Sequence, residues 1–259
     1  MIGFLKYPGT WLDHNGDDAH QVQGLLYQAE SDLVLASLAL MLFQQERGQR
    51  AAGFDQAEWT ARSEKRMVLE KEVKTEWGLN EWDYSRQDDV RNEVSIRLVK
   101  ADAAEGKLPR AYQHQLPFLH AKSFLFALDG VRKTLLSLKR IGPSAAASDV
   151  ALGILAAGVP DLAGVRDSTA HADERSQGKA RGKALPTVPI DSFGIHAPGG
   201  GAIVISGLHN DVFNCTVEDG RLAGVAVNDK SLGAAFQAAQ ALLDALPWKG
   251  PSRIVPDAW

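Results

Sequence analysis

Residues 176–189 read SQGKARGKALPTVP, and the chain changes character across them. Before them apolar residues recur every three or four positions, the helical period. After them short apolar runs alternate with turn residues, as strands do. Gly178, Gly182, Pro186 and Pro189 interrupt both periods, so 176–189 reads as a mobile loop. The fold class that follows is α+β: a mainly helical bundle, then a small antiparallel β-meander and a C-terminal helix. The expected division is a helical bundle over 1–176, a loop over 177–189, and strands with a final helix over 190–259 docked on the bundle.

Upstream, Asp17 and Asp18 are placed to cap a helix whose Leu25, Ala29, Leu33, Ala36 and Leu40 share a face, with Gly48 as its stop. A charged helix over 56–76 lies between Trp59 and Trp77, and a third spans 84–105 with Val90, Val94, Leu98 and Ala101 aligned. Pro117 suits a helix's first turn; from it, 117–139 carries an apolar stripe of Phe118, Ala121, Leu125, Leu128, Val131 and Leu135. Residues 141–147 break the pattern. Ser148 then caps a helix over 149–157, and another runs from Pro160 to about Ser176. Downstream, strands are expected at 190–196, 202–207, 211–217 and 221–227, with turns at Asn210-Asp211 and Asp219-Gly220. Asp229 or Ser231 caps a last helix that Pro247 stops.

Composition narrows the class. In 259 residues, 45% are hydrophobic and 23% charged, the ordinary globular mix, which excludes a disordered or fibrous chain. A net charge of −4 argues against a broadly basic nucleic-acid coat but leaves room for a local basic patch. Cys215 is the only cysteine, so no intramolecular disulfide or cysteine-based zinc site forms. A free thiol suits a reducing cytoplasm. The N-terminus lacks the apolar core of a signal peptide, and the most apolar segment, Leu33 to Phe43, is too short to span a bilayer. A soluble cytoplasmic protein with no membrane partner is expected.

The chemistry-bearing stretch is VRDSTAHADER, 165–175. On one continuous helix, Asp167, His171 and Arg175 share a face at four-residue spacing, with Glu174 beside it. Arg166 lies about 140° around the axis from His171. A carboxylate beside an imidazole, with two guanidiniums near, suits acid–base work on a phosphodiester: the imidazole moves the proton and the planar guanidinium steadies phosphate charge. The same ladder also stabilises helices with no other purpose.

Arg166-Asp167-Ser-Thr-Ala-His171, an arginine, a polar residue and a histidine five positions on, resembles the motif of HEPN domains (higher eukaryotes and prokaryotes nucleotide-binding). AKSFLFALDGV (121–131) followed by RDSTAHADER (166–175) is also similar to bacterial proteins with an Arg-Asn/Asp-x-x-Glu-His-x-Asp-Glu-Arg run, departing at Ala170. The resemblance covers about 117–176; the strands and last helix lie outside a minimal HEPN bundle. It implies a helical, often dimeric, metal-independent RNase. Arg166 would hold the scissile phosphate, His171 would activate a ribose 2′-hydroxyl, and Asp167 would orient. Glu174 and Arg175 are secondary candidates. Lys179, Arg181 and Lys183 could follow an RNA backbone. The expected partners are RNA and a second copy, with an antitoxin or other protein unspecified and no cofactor. The alternative is a non-catalytic structural or interaction module in which the Arg-Asp-His-Glu-Arg ladder only holds helices together.

The remaining histidines carry weaker signals. His114 and His120 flank Pro117 near a helix start, and His196 and His209 lie near strand ends; neither pair brings a third ligand, so no metal is expected. Gly199, Gly200 and Gly201 lack the Gly-Lys-Ser/Thr of a phosphate loop and read as a turn. Cys215 reads as buried and inert, and Trp11, Trp82, Trp248 and Trp259 as packing anchors.

Overall fold

The structure, a computed structural model, describes residues 3–51, 55–80, 82–141, 144–186 and 188–256. Trp259 and part of the 141–147 break lie outside them. Two short strands, β1 (Leu5–Tyr7) and β2 (Trp11–Leu12), precede a long helix, α1 (Ala19–Ala51). Its inward stripe is buried at Leu26, Leu33, Ala36, Leu40 and Phe43. Gly48 does not stop it. A glycine ends a helix by taking a left-handed conformation, and Gly48 is not among the residues with positive φ. Helix α2 (Gln56–Glu76) starts where the Asp55 carboxylate accepts the N–H groups of Ala57 and Glu58 at 2.8 and 3.1 Å. Then come α3 (Gln87–Ala104), the single turn α4 (Arg110–Gln113), and α5 (Leu116–Leu138). Helix α6 (Ala145–Gly158) begins a turn earlier than expected, because Ser144 turns its hydroxyl back onto the carbonyls of Leu138 and Ile141 and closes the break.

The helix expected over 160–176 is two pieces, α7 (Leu162–Ala170) and α8 (Ala172–Ser176), hinged at His171 with φ −111° and ψ 41°. The following segment is not a loop but a hairpin of β3 (Lys179–Ala180) and β4 (Lys183–Ala184). Arg181 and Gly182 form its turn with φ of 49° and 75°, both positive as a type I′ turn requires. The strand expected over 190–196 is itself a hairpin of β5 (Ile190–Ser192) and β6 (Ile195–Ala197), turning at Phe193 and Gly194 with φ of 52° and 74°. Of 202–207 only Gly207 is strand. It begins β7 (Gly207–His209), which joins β8 (Val212–Thr216) and β9 (Leu222–Ala226) in a three-stranded antiparallel sheet. The expected turns at Asn210-Asp211 and Asp219-Gly220 connect these strands. Helix α9 (Asp229–Ala245) is capped by Asn228, whose side chain accepts from Ser231 N–H at 3.0 Å. Last come β10 (Trp248–Lys249) and β11 (Arg253–Val255), which pair with β2 and β1. The chain ends thus clasp each other, a pairing absent from the sequence reading.

The expected split at 176 is not the one observed. One compact unit comprises 1–45 with 117–259, and the other is 46–116. The first has a single core, drawn from the inward faces of α1, α5, α6, α7 and α9 and from Phe213, Cys215, Ala223 and Val225 of the sheet. The strands and last helix therefore share one hydrophobic interior with the helices before them, which is why no boundary falls at 176. The second unit is an α2–α3 hairpin around Val73, Val90, Val94 and Leu98. Its buried Asp102 pairs with Arg62 at 3.1 Å. By length and composition the 19–48 stretch of α1 could cross a membrane, a longer apolar reach than the eleven residues read from sequence, and 39% of its most apolar window is buried.

Candidate functional site

The site begins with a charge where the apolar stripe of α5 should continue. Asp129 lies between Leu128 and Val131 and is 1% exposed. A carboxylate so far out of water survives only with partners. Three cations supply them: Arg132 at 2.7 Å, Lys133 at 3.1 Å, and, from α7, the Nε of Arg166 at 3.0 Å. The Arg132 contact is an aligned hydrogen bond from Nε, whereas Arg166 Nε is an ion pair without hydrogen-bond alignment. Arg166 also donates from Nη1 to Asp167 at 3.1 Å and lies 5.2 Å from the Phe126 ring centroid. Val165 and Leu162 bury the inner face of α7 and hold Arg166 at the edge of α5.

Sequence reasoning singled out none of Asp129, Arg132 and Lys133. The signal was present: an acid within an otherwise apolar helix stripe, three and four residues before two cations. What sequence could not show was that α7 delivers Arg166 to the same carboxylate. The cluster holds three cations against two carboxylates, and Lys133 is half-exposed, so a positive excess faces solvent.

The other site residues separate. Asp167 is exposed, and its carbonyl accepts the His171 N–H at 3.0 Å, which keeps one helical turn between them through the hinge. The His171 side chain is exposed and has no hydrogen-bond or ion-pair partner among the described residues. Arg175 does not share that face. It is 4% exposed, its Nε donates to Ser168 Oγ at 3.2 Å and its Nη1 to the Lys179 carbonyl at 2.8 Å. The hinge at His171 rotates α8 so that this guanidinium turns inward and ties α7, α8 and β3 together. Glu174 accepts the Arg181 N–H at 2.7 Å and so pins the hairpin turn. Lys179 and Lys183 are exposed on β3 and β4, while Arg181 pairs with Glu218 at 3.0 Å. Lys179 also donates to the Gln177 side chain at 3.3 Å, so two of the three cations expected to follow RNA have no carboxylate partner among the described residues, on a built hairpin.

Beneath α7, Cys215 is 1% exposed, and burial pushes its thiol up to about 11. Such a thiol is not a nucleophile near neutral pH. His196 pairs with Asp191 at 3.2 Å and His209 contacts Asn210 at 3.0 Å, so the two do not form a shared site. Among the described residues, no group of three or more His, Cys, Asp or Glu is placed to hold a metal ion. No family model, curated protein or solved structure matches the chain.

Proposed function

We propose that the chain binds single-stranded RNA through the Arg132–Lys133–Arg166 cluster and cleaves it without a metal, with His171 as the acid–base group. The observation that carries this reading is the convergence of three cations on one buried carboxylate, Asp129. Two carboxylates, Asp129 and Asp167, cannot neutralise three cations, and held cations are a preorganised phosphate clamp. An exposed imidazole with free nitrogens follows Arg166 on the next turn.

In the proposed step His171 accepts the ribose 2′-hydroxyl proton as that oxygen attacks phosphorus. Arg166 steadies the charge on the non-bridging oxygens. The 5′-oxygen leaves and takes a proton from water, and the products are a 2′,3′-cyclic phosphate and a free 5′-hydroxyl. Asp167 holds Arg166 from the solvent side. Lys179 and Lys183 extend the contact along the backbone.

A second reading is favoured by a different observation: Arg166 is already engaged by Asp129 and Asp167, and Arg175 is buried. On it, the cluster is a helix lock within a structural or interaction module. Cleavage of labelled single-stranded RNA in EDTA separates the two. The RNase reading requires that His171→Ala abolish the cyclic-phosphate product while RNA still binds, and that Lys133→Ala weaken binding. Equal turnover by wild type, Arg166→Ala and His171→Ala would assign the activity to a contaminant and leave the helix lock.

A further inference from the structure

Helix α1 carries two apolar stripes where a surface helix needs one. The inward stripe fills the core. Between Asp32 and Gln44, however, the outward positions are also apolar: Val34, Leu35, Leu38, Met41 and Leu42 are all exposed. The one polar side chain in that stretch, Ser37, turns its hydroxyl back to the Leu33 carbonyl at 2.8 Å. Beside this stripe lies a groove of about 450 Å³ between α1 and α5, walled by Leu35, Leu38, Leu42 and Phe126. Together these side chains leave on the order of 500 Å² of hydrocarbon in water, near the top of the roughly 300–600 Å² range for the largest patch on a monomer.

The groove has two unlike ends. At one, Asp32 is 8% exposed, bonded to Gln28 at 3.2 Å and packed against Gly130, where an added Cβ would stand 2.5 Å from the carboxylate. At the other is His120, whose ring has no partner among the described residues. Ten residues of α5 separate His120 from Gly130, about 15 Å along the helix.

We propose that this groove is covered by a second copy of the chain, packed groove to groove about a two-fold axis near Leu38. A two-fold perpendicular to the groove exchanges its ends, so Asp32 faces the partner's His120 and His120 faces the partner's Asp32. An isologous contact requires this self-complementarity. With its rim, the face approaches the roughly 800 Å² per partner of a standard interface. A lipid surface fits less well: interfacial helices carry Lys and Arg on their polar face, and α1 has none from Ala19 to Glu46. Phe126 belongs both to the groove and to the Arg166 contact, so the second copy would seal one flank of the cation cluster. The dimer does not depend on RNA cleavage.

Sedimentation velocity on the full chain tests it. Wild type is expected at twice 28.0 kDa at 10 µM, and Leu38→Asp at the monomer mass, with dimer association weakened at least 100-fold. Protection of Cys215 from alkylation in Leu38→Asp shows that the variant is folded. Independently, Leu38→Cys should form a disulfide-linked dimer on mild oxidation, because residues near a two-fold meet their own copies. Val150→Cys, exposed on α6 and outside the groove, should not. A wild-type monomer at 100 µM overturns the proposal. Equal cross-linking at both positions does so too, as does wild type floating with phosphatidylcholine vesicles while Leu38→Asp stays in solution.

Discussion

Asp129→Asn should destabilise the first unit far more than Arg166→Ala, although each breaks the same α5–α7 ion pair. Asp129 is the one carboxylate that meets all three cations, and its side chain is 2% exposed. Without its charge, Arg132, Lys133 and Arg166 face one another across an amide. Removing one partner of a buried ion pair costs about 3–5 kcal/mol. Arg132 and Arg166 keep 25% and 22% of their side chains in water, and that hydration brings the cost to about 3 kcal/mol. Arg166→Ala leaves Asp129 with Arg132 and Lys133 at 2.7 and 3.1 Å. What it loses is the Arg166 pairs to Asp129 and Asp167 and a cation–ring contact, about 1.5 kcal/mol together. The assay is pulsed alkylation of Cys215 across a urea titration at 25 °C. This thiol is the chain's only one, lies in β8 and reacts only once the first unit opens, so the transition belongs to that unit alone. The reasoning fails if Arg166→Ala lowers the midpoint as much as Asp129→Asn does, or if Asp129→Asn shifts it by less than about 1 kcal/mol.

Further outcomes follow from other contacts. Gly158 of α6 meets Ala234 of α9 so closely that an added Cβ would stand within overlap of the Ala234 methyl. Gly158→Ala should therefore cost about 2 kcal/mol by overpacking, whereas Gly158→Ala with Ala234→Gly, which moves the methyl across the contact, should recover most of that loss in the same titration. Burial raises the carboxyl pKa of Asp32 above its ordinary value, so the folded state takes the proton more readily and stability falls as pH rises through that shifted range. In the monomeric Leu38→Asp background, Asp32→Asn should melt above its parent at pH 7, and the difference should vanish below pH 3.8. In the second unit, Lys107 and Lys65 hold the Glu105 carboxyl at about 2. Its contribution is complete above its ordinary pKa and lost as pH falls through about 2, so Glu105→Gln should flatten the acid limb of a stability–pH profile. Arg175→Lys cannot fork between Ser168 and the Lys179 carbonyl. It should lower the unit's midpoint and speed amide exchange in β3, and unchanged exchange there would refute the clasp.

Helix periodicity carried most of the architecture. The stripes of α1, α3, α5 and α9 are legible because a buried face repeats with the helical period, whatever it packs against. The Asn210-Asp211 turn was legible because asparagine and aspartate tolerate positive φ. The turns at Arg181-Gly182 and Phe193-Gly194 were not, since arginine and phenylalanine take positive φ only when the hairpin compels it. The break at His171 left no mark either, because its hydrogen bonds to Asp167 and from Arg175 keep the four-residue spacing of an unbroken helix.

The sequence alone determined that the chain is α+β and that one short stretch, 165–175, holds arginines, acids and a histidine within reach of one another. Tertiary structure decided which of them act together. It sent Arg175 into the interior, left His171 in water, and brought Arg166 to Asp129, thirty-seven residues earlier. It also decided that the outward face of α1 goes uncovered within one copy. Periodicity reports which side of an element is buried, through the free energy of removing that side from water. The partner of a charge depends on which elements the shared core brings side by side, and that information is spread over the whole chain.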